Sequence, residues 1–321
     1  MYRRFTVSIQ TLDEKSLIAI KRKNTDGSNF DYMLKTAKDY GLPVSTETII
    51  GLPEETYKSY MNTLDFVLNN HLPYQYNILQ ILDNSEMSDQ FYIEKYELDI
   101  IRTESSFSDD FAKEYQNICV GTKSLPRKNF EKLLLFQWFV FSFHDFHITH
   151  VVAHTLKKVF NIKITDFYKD FLEHILEDST HCIHDDILKF KNPIKNNQMA
   201  FLENSYNKHQ SNLLSKVFNN QQFYLNLKNF CIDRYGCDSL LIDDAISIQI
   251  NSYNYQRFSE EYTLNFNTNL HDHLVSGAPL TFKQKKYKII KDSIPSNILD
   301  WYSHFRYTSW GDSWKSTIYE I

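Results

Sequence analysis

The sequence predicts a mixed α/β fold that begins with a parallel sheet. In the first ninety residues, β-rich segments alternate with helical ones in the order strand, helix, strand, helix, strand. One helical segment also carries apolar residues at i, i+3, i+4 and i+7 spacing, which marks a helix with one buried face. Strands that are separated by helical crossovers pair in parallel, in a sheet that is open or closed into a barrel.

The first strand is predicted at Phe5–Gln10, where apolar and polar residues alternate. Thr11 and Glu14 then have the spacing of a capping box, which predicts a helix that continues to about Arg22. A second helix opens at residues 28–31 and is expected to end at Gly41, a residue that favours a left-handed helix cap.

The second strand is predicted at Val44–Ile50, a β-branched run that ends abruptly at the sequence GLPEET. Pro53 fits the first position of the next helix, and Glu54 and Glu55 would then lie in its first turn, where the helix dipole favours negative charge. A third strand is expected at residues 76–82.

After about residue 88 the alternation stops. Residues 105–230 are predicted to be mainly helical, and residues 239–291 have a β-like pattern. The apolar run 133–143 is about half as long as the roughly 20 residues that span a bilayer, so it predicts a buried helix. A boundary between residues 88 and 108 gives two domains, 1–100 and 101–321.

Composition excludes several function classes. The net charge is −5 with mixed signs, which gives no basic surface for nucleic acid. Glycine is scarce, and neither a P-loop nor a Rossmann glycine pattern occurs. Without a signal-peptide pattern, the four scattered cysteines are expected to be reduced thiols of a cytoplasmic protein with no membrane span.

Two strand ends place polar groups at the C-terminal edge of the predicted sheet, where parallel α/β folds bind their ligands. The first strand end supplies Ser8 and Gln10, and the second supplies Glu47, Ile49, Gly51 and Glu54. A glycine there would let a ligand approach the backbone closely. A tight connection between strand and helix is the alternative interpretation of the same Gly-Leu-Pro turn.

The segments VSIQTLDEKSLIAIKRKN and PVSTETIIGLPEET resemble the fourth and fifth strand–helix units of radical S-adenosylmethionine (SAM) enzymes. The likeness is strongest to the group often preceded by a cobalamin-binding domain, and NILQILDNSEM is similar to that group's sixth strand. The resemblance covers roughly residues 5–155. It implies the C-terminal part of a partial (β/α)6 TIM-like barrel, followed by a mainly helical α+β domain that ends in antiparallel strands.

The resemblance also implies roles for the strand-end residues. The family's fifth-strand motif GxIxGxxE packs against the adenine of SAM, and its positions are here Glu47, Ile49, Gly51 and Glu54. Glu47 replaces the first glycine of that motif. Ser8 and Gln10 match positions that bind the ribose and methionine groups. Arg22 is either a partner for the methionine carboxylate, through bidentate hydrogen bonds, or a solvated cation at a helix end.

The family's chemistry requires a 4Fe–4S cluster bound by CxxxCxxC, and this motif is absent from the sequence. The chain is therefore expected to be a truncated sequence or one half of a split enzyme, inactive alone, with a partner chain that supplies the cluster. The resemblance implies radical chemistry on a small-molecule or unknown substrate, with cobalamin as a further cofactor if a cobalamin domain precedes the chain.

Two other functions stay open. His147, His150 and His154 would share one face of a helix and could bind zinc, with further ligands from the sequence HCIHDD at residues 181–186. That arrangement predicts a metal-dependent hydrolase or a structural metal site. The third hypothesis is a non-catalytic binding module derived from a degenerate barrel. In that case the aromatic C-terminus would form a substrate lid or a protein interface through Trp301, Trp310 and Trp314.

Overall fold

The computed structural model describes residues 5–24, 27–40, 42, 44–72, 74–104, 113–195, 212–218, 220–253, 261–290 and 318–320. The strands are β1 Phe5–Gln10, β2 Val44–Ile50, β3 Tyr74–Ile78, β4 Gln80–Ile81, β5 Asp99–Glu104, β6 Tyr115–Gly121, β7 Glu261–Phe266, β8 Lys285–Ile290 and β9 Ile318–Glu320. The helices are α1 Glu14–Ala19, α2 Gly27–Asp39, α3 Tyr57–Asn69, α4 Gln90–Tyr96, α5 Arg127–Val140, α6 His150–Phe160, α7 Ile164–Glu177, α8 His184–Lys195, α9 212–217, α10 Gln221–Tyr235, α11 Ser239–Tyr253 and α12 Leu270–Ser276.

The chain divides into two units. The first contains the described residues up to Trp138 together with those from Lys189 to Lys195, and the second contains the rest. A mixed α/β architecture is thus confirmed. The domain boundary predicted near residue 100 falls inside the first unit and stays a prediction.

A three-stranded parallel sheet with the order β1-β2-β3 forms the start of the first unit. The predicted alternation of strands and crossover helices is confirmed here. No sheet closes into a barrel within the described ranges, so the partial barrel remains a prediction.

Side chains of α3 and α5 contact one face of this sheet and form a buried hydrogen-bond network with it. The Tyr60 hydroxyl lies 3.0 Å from that of Thr48 and donates to Oε1 of Gln137, also at 3.0 Å. Gln137 in turn donates to the Tyr74 hydroxyl at 2.5 Å. The network connects β2, β3, α3 and α5 through polar groups that satisfy one another away from water.

The third predicted strand is divided between two sheets. The backbone N–H of Leu79 donates to Ile50 of the parallel sheet, while its carbonyl accepts from Cys119 of β6. The chain therefore leaves the parallel sheet at Leu79 and enters an antiparallel sheet with the order β4-β6-β5. The described residues of 105–230 are mainly helical, as predicted, but they also contain β6, which no local pattern predicted because this strand pairs with distant segments.

Two helix starts differ from their predictions. Asp13, not Thr11, caps α1 by accepting from the N–H of Ser16 at 2.9 Å, and α1 ends at Ala19 rather than near Arg22. The helix after β2 begins at Tyr57 behind a Thr56–Ser59 capping box, so Pro53 lies in the preceding loop. Gly41 lies outside the described residues.

The second unit consists of helices followed by an antiparallel sheet with the order β7-β8-β9. Residues 239–253 form α11 instead of the expected β structure, and Leu241, Ile242 and Ala245 are buried at helical spacing. The buried helix predicted at residues 133–143 is confirmed, and it continues as a π-helix at Phe141–Asp145. No helix in the described part of the chain has the length and apolar character to cross a membrane.

Candidate functional site

The face of the parallel sheet opposite α3 is polar. Ser8 Oγ donates to Glu47 Oε2 at 3.3 Å across β1 and β2, so these two predicted residues do lie together. Gln75 pairs in register with Glu47 and Asn77 with Ile49, which adds two amide side chains to the same face. We call Ser8, Glu47, Gln75 and Asn77 the polar face. Ser8 is exposed and the other three are half-buried.

The loops at the end of the polar face have unusual backbone conformations. Gln10, Glu54 and Gly51 all have positive φ, at 57°, 64° and 94°. Left-handed conformations are uncommon for residues other than glycine, and they concentrate at functional sites when the surrounding structure enforces them. Gln10 is moreover the centre of a three-residue turn, because the N–H of Thr11 donates to the carbonyl of Ile9 at 2.7 Å.

Glu55 is the residue that the sequence interpretation missed. Its side chain is fully buried, and Oε1 accepts from the Thr11 hydroxyl at 2.5 Å. Burial raises its pKa to about 8, against the lowering effect of the Thr11 hydrogen bond and with a smaller contribution from the Asp13 charge. The carboxyl group is therefore mostly protonated at pH 7 and links the loops that follow β1 and β2.

Gly51 has a packing role that accounts for the glycine. A Cβ atom added there would lie 3.1 Å from the carbonyl oxygen of Cys119 and 3.8 Å from Cβ of Leu79. The space of the missing side chain is thus already occupied by the antiparallel sheet. Packing alone therefore accounts for the glycine, and the expected approach of a ligand to this backbone stays a prediction.

The remaining predicted residues lie around these loops. Ile49 is half-buried and packs against an apolar cluster that includes Leu79 and Cys119. Glu54 is half-buried in the loop, and Arg22 is exposed just beyond the end of α1. The structure thus brings Ser8 and Glu47 into contact and places Arg22 on the surface.

His147, His150 and His154 of the second unit are buried, but they do not all lie on one helix as predicted. α6 begins at His150, and His147 precedes it with a left-handed φ of 55°. The ring centroids of His147 and His150 are 4.5 Å apart, and desolvation lowers the pKa of His147 to about 3. Nδ1 of His144, in the π-helix, lies 3.0 Å from the hydroxyl oxygen of Tyr168.

No group of three or more histidine, cysteine or acidic side chains is arranged to hold a metal ion among the residues with described positions. The second histidine-rich segment has other contacts. His184 Nδ1 lies 2.8 Å from the carbonyl oxygen of Ile175, and Asp186 forms an ion pair with Lys216 at 2.7 Å. These contacts favour a structural role for both segments.

Comparison with known proteins gives one distant similarity. The chain is 26% identical over 176 residues to the cobalamin-dependent radical SAM methyltransferase TokK of Streptomyces tokunonensis. The match covers 53% of this chain but only 26% of that protein, so the chain matches about a quarter of its relative's length. No family model matches the sequence. The similarity is a distant suggestion of the radical SAM superfamily.

Proposed function

We propose that this chain is part of a radical SAM enzyme and that the polar face, with the loops after β1 and β2, binds SAM. The observation that carries the proposal is the Ser8–Glu47 hydrogen bond. It unites, on one face and near the carboxyl ends of parallel strands, the two segments whose sequences resemble SAM-binding units. The similarity to a radical SAM methyltransferase supports the same assignment.

The residues of the site suit the chemistry of an adenosyl ligand. The Glu47 carboxylate accepts hydrogen bonds and the Ser8 hydroxyl donates and accepts them, as ribose hydroxyls require. Ile49 offers an apolar surface for the adenine, beside Gly51 and Glu54, while Gln10 and Arg22 would bind the methionine amino and carboxylate groups. In this proposal the chain binds and orients SAM, which supplies a 5′-deoxyadenosyl radical when a reduced cluster is present.

The thiols of this chain do not fit a 4Fe–4S cluster. Cys119, Cys231 and Cys237 are buried and Cys182 is exposed. Burial raises the pKa of Cys119 to about 11, and its Sγ–H donates to the carbonyl of Gly121 at 3.1 Å. Iron ligation needs accessible thiolates at suitable spacing. The cluster is therefore assigned to another part of the enzyme, on a partner chain or in the rest of a longer protein.

Anaerobic reconstitution with iron and sulfide tests whether this chain lacks the ligands for the cluster. We expect less than one 4Fe–4S cluster per chain by metal analysis and Mössbauer spectroscopy, and Cys182→Ser controls for iron held by the exposed thiol. Adding a chain that carries CxxxCxxC, with reductant and SAM, should then release 5′-deoxyadenosine. A stoichiometric cluster in the chain alone would contradict the proposal.

A further inference from the structure

The turn that follows β1 is strained, and a buried carboxyl group contacts it. Gln10 has a left-handed φ of 57°, and the pairing of β1 with β2 is irregular between Val7 and Gln10. A conformation of this kind persists only when the surrounding contacts enforce it. The residue after Gln10 makes those contacts, because Thr11 is fully buried and both its hydroxyl and its carbonyl oxygen are hydrogen-bonded.

Thr11 is held by a chain of hydrogen bonds. Its hydroxyl accepts from the N–H of Asp13 at 3.0 Å and donates to Oε1 of Glu55 at 2.5 Å. Its carbonyl oxygen accepts from the side-chain amide of Asn24 at 2.6 Å. Of these partners, only Glu55 comes from the loop that follows β2. The residue before it, Glu54, also has a left-handed backbone conformation. The Thr11–Glu55 contact therefore fixes one loop relative to the other.

We propose that Glu55 is a positioning residue of the SAM site, an inference that rests on the proposed function. Through Thr11 it holds the turn that carries Gln10 in register with the loop that carries Gly51 and Glu54. Glu55 does not contact the ligand in this account, and it acts through the residues that do.

The buried position of Glu55 favours its protonated state. The carboxyl is fully buried and its second oxygen, Oε2, has no hydrogen-bond partner among the described residues. The ionisable groups that face it are Asp13 at the start of α1 and Tyr60 of α3, and neither supplies a positive charge. Since the pKa of Glu55 is raised to about 8, alkaline pH would place an uncompensated charge between the two loops. The Thr11 hydrogen bond favours the ionised form, but the cost of the buried charge outweighs it. We therefore expect the carboxylate to draw water between the loops as it ionises, and the Gln10 turn to lose its fixed geometry.

Two variants separate the charge of Glu55 from its hydrogen bond. Glu55→Gln keeps the size and a hydrogen-bond acceptor but cannot ionise, so it should hold the turn at every pH. Thr11→Val keeps the shape of the threonine but removes the hydroxyl that connects the loops. Glu94→Gln, on an exposed position of α4, is the matched control.

The test is an NMR titration of the intact chain, with and without SAM. In the wild type, the Glu55 carboxyl carbon and the backbone amides of Gln10 and Thr11 should titrate together with a midpoint near pH 8. The Kd for SAM should rise at least fivefold across the same range. The ligand's own α-amino group titrates at about 7.7–8.0, so the pH dependence that remains in Glu55→Gln is assigned to SAM. Thr11→Val should weaken binding at least fivefold at neutral pH, and Glu94→Gln should not.

The outcomes distinguish this inference from the proposed function. Backbone amides of Gln10 and Thr11 that do not follow the Glu55 carboxyl in the titration overturn the positioning role, and this measurement needs no variant to fold. Specific SAM binding that is the same in folded Thr11→Val and in the wild type also overturns it, while the proposed function stands. If the wild type shows no saturable SAM binding at pH 7, although the Gln10 amide still titrates together with the Glu55 carboxyl, the proposed function is contradicted instead.

Discussion

At Gly51 the requirement for glycine comes from both the backbone and the packing. A residue with a side chain would have to adopt a left-handed φ of 94° and place its Cβ atom 3.1 Å from the Cys119 carbonyl oxygen. Gly277 also has a positive φ, at 77°, but nothing lies within 4 Å of its missing side chain. A substitution at Gly277 therefore measures backbone strain alone, while one at Gly51 measures strain together with steric conflict.

We predict that Gly51→Ala lowers the free energy of unfolding by about 2–5 kcal/mol, as the sum of left-handed strain and overpacking. Gly277→Ala should cost about 1–2 kcal/mol, from strain alone. Urea unfolding of both variants measures the difference. Equal losses would show that β6 adjusts to the added methyl group and that packing does not require Gly51.

His147 makes the second unit sensitive to acid. Its folded pKa of about 3 lies below the ordinary value of 6.5, so the unfolded chain takes up a proton first as the pH falls. The stability present above pH 6.5 is therefore lost progressively between pH 6.5 and 3. At about 1.4 kcal/mol per pKa unit, the loss from this residue is up to about 5 kcal/mol.

The variant His147→Asn tests this dependence, because asparagine cannot ionise in this range and tolerates the left-handed backbone at this position. Unfolding free energies measured from pH 7 to 4 should decline less steeply in the variant than in the wild type. Parallel pH profiles would mean that His147 is not the group responsible.

The sequence predicts Ser8 and Glu47 at one edge of the sheet, because alternation along each strand determines which of its side chains share a face. Their contact follows from the register of β1 and β2, which the structure shows. The sequence could not distinguish Glu54 from Glu55. Which of two adjacent carboxylates turns inward depends on the φ of Glu54, and this angle is determined by loop packing rather than by any local pattern. The sequence interpretation therefore placed Glu54 in the site and overlooked Glu55.

At the scale of elements, local patterns predicted β1, β2 and α3 well. Apolar positions repeat with the period of the element in β1 and α3, and β2 is rich in β-branched residues. Both signals can be recognised without knowledge of the partner. The division of the third strand could not be predicted in the same way, since Leu79 bonds simultaneously to Ile50 and to Cys119. In α11, the β-branched residues favoured a strand prediction, while the burial of Leu241, Ile242 and Ala245 follows the helical period.

The network around Gln137 joins the helices to the parallel sheet. We predict that Gln137→Leu lowers the free energy of unfolding by about 2–4 kcal/mol, because the buried hydroxyls of Tyr60 and Tyr74 lose their bonds to it. Gln222→Leu, on the exposed surface of α10, should change it by less than about 0.5 kcal/mol.

A double-mutant cycle with Tyr74→Phe measures the connection directly. The loss of unfolding free energy in the double variant should be smaller than the sum of the two single losses by about 1 kcal/mol or more, since each single change disrupts the same hydrogen bond. Additive losses would mean that Gln137 stabilises the fold by packing rather than through the network.

At the scale of the molecule, the features assigned to the proposed SAM site belong to the first unit. The parallel sheet, the polar face and the Thr11–Glu55 link all lie in residues 5–138. The second unit is helical with an antiparallel sheet, and its described residues contain no group of three or more histidine, cysteine or acidic side chains arranged for a metal ion. β1 ends the parallel sheet, and proteins seldom leave such an edge strand uncovered. A cluster-bearing part that pairs with β1 would complete the enzyme proposed above.

The most direct test of the central claim is photolabelling of the chain with an azido-adenine analogue of SAM, followed by mass-spectrometric mapping. We predict labelled peptides from β2 and the loop at residues 51–56. An excess of SAM should suppress the labelling, and it should fall at least fivefold in Glu47→Ala but not in the exposed control Glu94→Ala. Labelling that is distributed over both units, or that excess SAM does not suppress, would contradict the claim that the polar face binds SAM.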